Sequence, residues 1–599
     1  MQEYTSPGET EVPFEENLTT SLWAAAAERP EQPIVAVRVG DRFVDWSTQQ
    51  FVEEIKAVAK GLLALGIQKD DRVVVHSSTR LEWTLLDYAI WSVGGVTVPI
   101  YETSSAEQIR WIVTDSEARA LFTETAELKA LVDEVHGDLP GLEHVFVIED
   151  GALESMRQQG AEVDDDTLMA RAAEPTGEDL ATIVYTSGTT GRPKGCVITH
   201  HNFIWDATQT ATAAPEFFGG GMRTLFFLPL AHIFARVVQT TCIRNGVILG
   251  YSTGIPQLTE ELAIYKPDFL IAVPRVFEKV FNGARAKAAA DGKERIFDKA
   301  AHVAEEYSRQ RIDGNVKLAT RILHAVFDKL VYTKLRAAMG GEVKYAVSGG
   351  AALGERLTHF FMGIGIHVCE GYGLTETTAV STFNRPTATR VGTVGKPVPG
   401  ASVRIAEDGE IMLAGSHIFQ GYHNNPDATA DVLEDGWFRT GDLGAVDGEG
   451  YLRITGRKKE LIVTAGGKNV APTVLEDRIR AHGLVSQCMV VGDGQPFIAA
   501  LVTIDAEAFP QWAEANDKIG TIPELTEDED LRAEVQSAID DANSLVSKAE
   551  SIRTFKILPD DFVVGVELSQ KMSVKRHVVA EKYQDAIDEI YSGKKPAKA

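Results

Sequence analysis

Short apolar runs alternate with helical segments over roughly the first 400 residues, and this alternation limits the fold more than anything else in the chain. The runs include "RVVVHSS" (72–78), "VTVPIY" (96–101), "ALFTE" (120–124), "HVFVIED" (144–150), "ATIVYTS" (181–187), "TLFFLPL" (224–230), "VILGY" (247–251), "FLIAVP" (269–274), "KYAVSGG" (344–350) and "HVCEGYG" (367–373). Several are apolar at consecutive positions, as strands buried on both faces are. Strands that alternate with helices predict doubly wound, parallel α/β sheets. Such sheets bind ligands at the C-terminal ends of their strands. Three segments put Gly, Ser or Thr there: "YTSGTTG", "VSGGAALG" and "CEGYGLTET". Each alone reads as a turn, and the three together point to one shared site.

At 599 residues the chain is too long for one core. The texture changes after about residue 400. "SVRIAEDGEIMLAG" and "GAVDGEGYLRITG" read as hairpins, which predicts a small β subdomain from about 392. A helix ("TVLEDRIRAHG") and a hairpin ("CMVVGDGQPFIAALVTI") follow. The expected division is an N-terminal part, 1–456, and a smaller α+β part, 457–599.

The formal net charge of -27 disfavours nucleic acid as a partner. Four cysteines without C-x-x-C spacing argue against zinc and disulfides and fit a reducing compartment. The acidic N-terminus has no apolar run, and no stretch of about 18 apolar residues occurs anywhere. The longest candidate, "LLDYAIWSVGGVTVPI", is broken by Asp87 and two glycines. A cytoplasmic protein is expected. The segment 284–337 is exceptional: it is helical by pattern and carries twelve Lys/Arg against seven Asp/Glu. It reads as a solvated helical hairpin on the sheet, or as a basic face for weak contact with anionic lipid at the inner membrane surface.

"YTSGTTGRPKG" (185–195) invites comparison with a P-loop. Pro193 stands where the second glycine belongs, and Gly195 where the metal-binding hydroxyl belongs. The loop still offers backbone N–H groups and hydroxyls, a neutral nest for phosphate oxygens, with Lys194 as a mobile charge. Glu376, in a glycine-rich turn beside hydroxyls, could hold Mg²⁺. Asp442 could accept from ribose hydroxyls and Tyr372 could stack on a base. Each also has a structural reading: a helix cap, a core ring, a surface charge.

"YTSGTTGRPKG", "LPLAHIF", "GYGLTETT", "GWFRTGDLG" and "GRKKELIVTAGGKNVAP" occur in the order and spacing of the AMP-forming acyl-CoA synthetase (adenylate-forming) superfamily. The chain resembles that superfamily over roughly residues 30–590. The helical segment 284–337 and the preceding "VPRVFEKV" are similar to the actinobacterial long-chain fatty acyl-CoA synthetases. The resemblance implies ATP, coenzyme A and a fatty acid as substrates, with Mg²⁺. It assigns Thr186, Ser187, Gly188, Thr189, Thr190 and Lys194 to the β- and γ-phosphates. Thr375 would bind the α-phosphate and Glu376 the metal. Gly349, Gly350 and Ala351 would line the adenine pocket, with Tyr372 on the ring. Asp442 and Arg457 would hold ribose, and His232 would lie near the carboxylate. Lys459 would be the hinge on which the C-terminal part rotates between half-reactions. Gly466 and Gly467 would meet the pantetheine arm, where only Gly lets backbone approach closely. A homodimer is left open.

Two alternatives stay open. One is an adenylate-forming ligase for another acid or for a carrier-protein acceptor. The other is a fatty-acid or nucleotide binding protein with impaired adenylation. The second is fed by "ELSQKMSVKR" (567–576), where the family's adenylation lysine aligns with Ser573. An extended strand would point residues 571, 573 and 575 the same way. Lys571 is expected to take the role, with Lys575 and a missing charge as the other readings.

Overall fold

The computed structural model describes residues 2–186, 192–569 and 572–592. A seven-stranded sheet runs in the order Gly421–Tyr422, Lys194–Thr199, Leu180–Thr186, Val96–Ile100, Arg72–His76, Ala120–Thr123 and His144–Val147. Its last five strands are mutually parallel; the hairpin partner Lys194–Thr199 runs antiparallel to them, and the edge strand Gly421–Tyr422 antiparallel to that partner. A second sheet pairs Phe269–Ala272, Tyr345–Ser348 and His367–Tyr372 in parallel, then adds two short antiparallel strands, Thr382–Phe383 and Lys396–Pro397. A third sheet is formed by Arg223–Phe226, Ile248–Tyr251, Pro33–Val39 and Arg42–Ser47. Each of the ten runs quoted from the sequence contains or overlaps one of these strands.

The helix Leu81–Ser92 is buried along almost its whole length, so its sequence shows no polar stripe. Its Asp87 is fully buried and receives Arg236 Nη2 at 2.6 Å, a wholly buried ion pair. Thr97 donates to Asp87 at 2.7 Å, and Arg236 also donates to Thr182 at 2.6 Å. The rings of Trp83, Trp91 and Phe203 surround the guanidinium within 5.4 Å. The charge that breaks the apolar run is therefore an internal strut between helices and sheet.

The β subdomain holds the hairpins Ser402–Ile405/Glu410–Ala414 and Trp437–Val446/Leu452–Arg457. Its own strands begin at Ser402; Lys396–Pro397 pairs in the second sheet, and Val394 and Gly395 bond to Leu452 of the subdomain. The N-terminal strand Gln2–Thr5 closes its edge by pairing with Ser402–Ile405. No periodicity in that acidic leader signals such a strand. The last strand of the subdomain ends at Arg457, and a separate apolar cluster begins at Ile462. That cluster is built on the sheet Val485–Val491, Ile498–Ile504 and Ile552–Ile557, flanked by helices Pro472–Arg480 and Glu529–Asn543.

The basic segment is helical, spanning Pro274–Ala290, Glu294–Ile312, Leu318–Phe327, a π-turn at Asp328–Tyr332, and Thr333–Ala338. The C-terminal unit leans on its first helix. Arg275 pairs with Asp505 at 2.8 Å, Lys279 with Glu507 at 3.0 Å, and Gln511 donates to the Ala286 carbonyl at 2.8 Å. Among the described residues no helix is long and apolar enough to cross a membrane.

Candidate active site

The hairpin Leu180–Thr186/Lys194–Thr199 brings Thr186 opposite Lys194 in register. Ser187, Gly188, Thr189 and Thr190, between them, lie outside the described residues. The hairpin's second strand runs directly into helix His200–Ala213. Thr199 Oγ1 accepts from the Asn202 amide at 3.2 Å, and Asn202 Oδ1 accepts from the Thr199 amide at 3.0 Å. This reciprocal cap fixes the turn from strand to helix.

The Lys194 ammonium lies 4.8 Å from the centroid of the Tyr422 ring. Tyr422 sits on the neighbouring edge strand, opposite Cys196. Its hydroxyl donates to Glu376 Oε1 at 2.8 Å. Burial, then the nearby Glu376 carboxylate, push the Tyr422 phenol far above its ordinary range, so it stays a donor. Tyr422 thus joins the lysine of the Gly/Thr-rich loop to the carboxylate of "GYGLTETT". Nothing in the sequence singled it out. The signal was an aromatic ring next to Gly421, whose φ of +136° and tight approach to Thr429 leave no room for a side chain.

The turn bearing Thr375 and Glu376 is over-determined. A Cβ on Gly373 would fall 1.5 Å from the Ala379 carbonyl oxygen, so only glycine closes it. Thr378 and Ala379 both have positive φ, at 49° and 96°. Three bonds hold them there: Ala379 N to Leu374 O at 3.1 Å, Thr378 Oγ1 to His417 O at 2.7 Å, and Val380 N to Asp206 Oδ2 at 2.8 Å. Burial raises the carboxyl of Asp206 well above the usual range. Burial also holds the His417 imidazole down to about 3; the ring stacks on Trp205 at 4.9 Å, and its Nε2 lies 2.9 Å from Ser381 Oγ. Asp206 and His417 act through the backbone of this turn, and sequence reasoning missed both. Strain of this kind collects where a protein must hold a group in place.

Tyr372, at the end of the strand leading into that turn, donates to Asp442 Oδ2 at 2.6 Å. Arg457 Nε reaches the other oxygen of Asp442 at 3.0 Å. The pair sits opposite in register across the last hairpin of the β subdomain. The side chain of Asp442 is 5% exposed and that of Arg457 53%. Burial, with Asp442 beside it, drives the Tyr372 phenol well upward.

Gly349, Gly350 and Ala351 follow the strand Tyr345–Ser348, next to His367–Tyr372. A Cβ on Gly349 would meet the Phe234 ring at 3.1 Å, and Gly350 has a φ of +84°. His232 caps the helix Ile233–Asn245: its Nδ1 accepts from the Phe234 amide at 3.0 Å. The Tyr422–Glu376 bond therefore joins the edge of the first sheet to the turn that follows His367–Tyr372 in the second. Lys194, Glu376, Tyr422, Tyr372, Asp442 and Arg457 form two bonded groups joined by the 372–376 turn.

Other residues stand outside these bonded groups. Lys459 is exposed on a single 3₁₀ turn, next to Lys458, whose ammonium pairs with Asp408 at 2.6 Å and Glu410 at 3.1 Å. Gly466 and Gly467 form the exposed tip between Ile462–Val463 and Asn469–Val470. Lys571 lies outside the described residues. The described residues on either side of it are tied to each other by backbone bonds. Ser569 N donates to Ser573 O at 2.8 Å, Leu568 pairs with Val574, and Met572 has a φ of 62°. Lys575 is occupied, its ammonium donating to the Gly565 carbonyl at 2.7 Å.

Glu376 offers its second oxygen, and MgATP sites typically take one or two protein carboxylates plus phosphate oxygens and water. The donor set fits such an ion.

Residues 22–423 match the family model of the AMP-binding enzymes, and residues 459–595 that of the AMP-binding enzyme C-terminal domain. A long-chain-fatty-acid–CoA ligase, FadD15, of Mycobacterium tuberculosis is 48% identical over 99% of this chain and 100% of its own. A long-chain-fatty-acid–CoA ligase of Xenopus laevis, ACSBG2, is 29% identical over 93% of this chain and 81% of its own. Among solved structures, the anthranilate CoA ligase AuaEII with anthranoyl-AMP superposes with a TM-score of 0.72 at 19% identity, covering 96% of this chain and 98% of that one. A fatty acyl CoA synthetase of Mycobacterium tuberculosis gives 0.62 at 22% identity, covering 95% and 99%. At such identities the structures speak for the fold.

Proposed function

The chain belongs to the AMP-binding enzyme family, and on that premise we propose that it is a cytoplasmic long-chain fatty acid–CoA ligase. The observation that carries the adenylation chemistry is the linkage of Lys194, Tyr422 and Glu376 beside Tyr372, Asp442 and Arg457 at the strand ends. The full-length likeness to ligases named for long-chain fatty acids supports the choice of acid.

In the first half-reaction a carboxylate oxygen of the acid attacks the α-phosphorus of ATP. The bond to the bridging oxygen breaks and pyrophosphate leaves. Thr186, Ser187, Gly188, Thr189, Thr190 and Lys194 hold the departing phosphates, and Thr375 the α-phosphate. Glu376 would hold Mg²⁺, which would supply charge neutralisation on the phosphates. Tyr422 orients Glu376. Asp442 takes ribose hydroxyls, fixed by Arg457 and by Tyr372, whose ring faces adenine with Gly349, Gly350 and Ala351. His232 orients the acid. Catalysis here is positioning plus charge stabilisation. In the second half-reaction the thiol of coenzyme A attacks the acyl carbon, the thiol proton is released, and AMP leaves. The unit beyond Arg457 turns at Lys459 between the steps, and Gly466 and Gly467 admit the pantetheine arm.

The turn at Ser569–Ser573 and the engaged Lys575 favour a second reading, in which adenylation lacks its usual lysine and is slow. Pyrophosphate release from ATP, Mg²⁺ and a panel of acids tests the proposal. Long-chain acids should give the highest rate, and free coenzyme A should then yield thioester. Nucleotide binding without pyrophosphate release would reject the ligase reading. A rise of about 10² in release on Ser573→Lys, with Lys571→Ala silent, would support the second reading over Lys571.

A further inference from the structure

The helix Leu318–Phe327 and the π-turn after it are apolar on both sides. Inward, Thr320, Phe327 and Tyr332 are buried. His324 Nε2 lies 2.7 Å from the Gly363 carbonyl, and its ring stacks on Tyr307 at 3.8 Å. The helix is thus fixed to the body of the protein. Outward, Leu318 is 71% exposed, Ile322 56%, Val326 48% and Leu330 56%. They recur every four residues and form one ridge. A solvated helix would carry polar groups there.

Beside the ridge runs a second row. Lys317, Arg321 and Lys329 each precede a ridge residue, and Lys334 follows; all four are exposed. None of the four is within ion-pair distance of a carboxylate among the described residues. The acids that flank the strip in sequence are Asp313, which is exposed, and Asp328, which is taken by Arg336 at 2.8 Å; Glu306 accepts from Thr320 and Gln310. In a chain of net charge -27 this is an unneutralised cationic strip against exposed aliphatic side chains.

We propose that this face docks on an anionic lipid bilayer, with Leu318, Ile322, Val326 and Leu330 entering the headgroup–acyl boundary. Lys317, Arg321, Lys329 and Lys334 pair with lipid phosphates. An interfacial helix needs this combination of an apolar face and flanking cations. A second copy of the chain is the weaker occupant, because ridge-to-ridge contact about a two-fold axis sets cations against cations. The docking itself is independent of the ligase reading; that reading supplies its purpose, delivery of a water-insoluble acid.

The test is sedimentation of the full chain with vesicles of phosphatidylcholine, with and without phosphatidylglycerol. Wild type should bind the anionic vesicles and lose binding as salt rises. Ile322→Gln with Val326→Gln should weaken binding at least about tenfold. Lys317→Gln with Arg321→Gln and Lys329→Gln should remove the preference for phosphatidylglycerol. Both variants should keep the wild-type melting temperature and pyrophosphate release with a water-soluble acid. Failure of wild type to bind, or binding unchanged in both variants, would overturn the proposal. So would a wild-type dimer that the ridge variant splits while vesicle binding persists. Loss of pyrophosphate release in wild type would instead count against the ligase reading alone.

Discussion

The Tyr422 hydroxyl donates to Glu376 Oε1 across 2.8 Å, so the carboxylate assigned to the metal is aimed by a residue from a different strand. Tyr422→Phe keeps the ring under Lys194 and removes only that bond. A hydrogen bond to a charged group contributes about 1.5–3 kcal/mol, so adenylation should fall about tenfold or more. The Mg²⁺ concentration needed for half-maximal pyrophosphate release should rise, while the melting temperature stays near wild type. An unchanged Mg²⁺ dependence would show that Glu376 needs no such positioning.

Asp87 and Arg236 form an ion pair with no exposure on either side chain. Removing one partner of such a pair leaves a buried charge and commonly costs about 3–5 kcal/mol. Asp87→Ala should therefore lower unfolding stability in denaturant by that order. Asp87→Leu combined with Arg236→Met should recover most of the loss. A cost below about 1 kcal/mol for Asp87→Ala would mean that water or a neighbouring group replaces the carboxylate.

Lys459 stands exposed between a strand bonded into the β subdomain and the first residue of the C-terminal apolar cluster. Proline there fixes φ and blocks rotation. Lys459→Pro should spare one half-reaction and collapse the other, measured separately with ATP plus acid and with supplied acyl-adenylate plus coenzyme A. Equal loss of both, or of neither, would move the hinge elsewhere.

Burial holds His417 near 3, far below the ordinary imidazole value of about 6.5. Between those values the unfolded chain takes up a proton that the folded chain does not. The stability from this site is complete above about pH 6.5 and falls as the pH drops toward 3, by about 1.4 kcal/mol per pH unit. His200, also held to about 3, acts in the same direction. Unfolding free energies measured at pH 7 and pH 5.5 should show this slope, and His417→Asn should be shallower by one group's share. A variant with the wild-type slope would remove His417 from the account.

The large sheets were legible because their strands are buried on both faces and read as unbroken apolar runs, as "RVVVH" and "FLIA" do. The motif residues were legible because glycines such as Gly373 are sterically compelled. What stayed hidden depends on partners distant in sequence. Tyr422 reaches Glu376 across 46 residues, and Asp206 reaches Val380 across 174. The strand Gln2–Thr5 exists only because Ser402–Ile405 offers it an edge. The bond from Ser569 N to Ser573 O was not legible because no glycine marks a reversal there; Met572 supplies the positive φ instead.

The central claim is carboxylate activation on a site organised around Glu376, and pyrophosphate release by Glu376→Ala tests it most directly. With ATP, Mg²⁺ and a long-chain acid, wild type should release pyrophosphate and, once coenzyme A is added, form acyl-CoA and AMP. Glu376→Ala, with an unaltered melting temperature, should lose release by about 10² or more. Near-normal release by the variant would contradict the account.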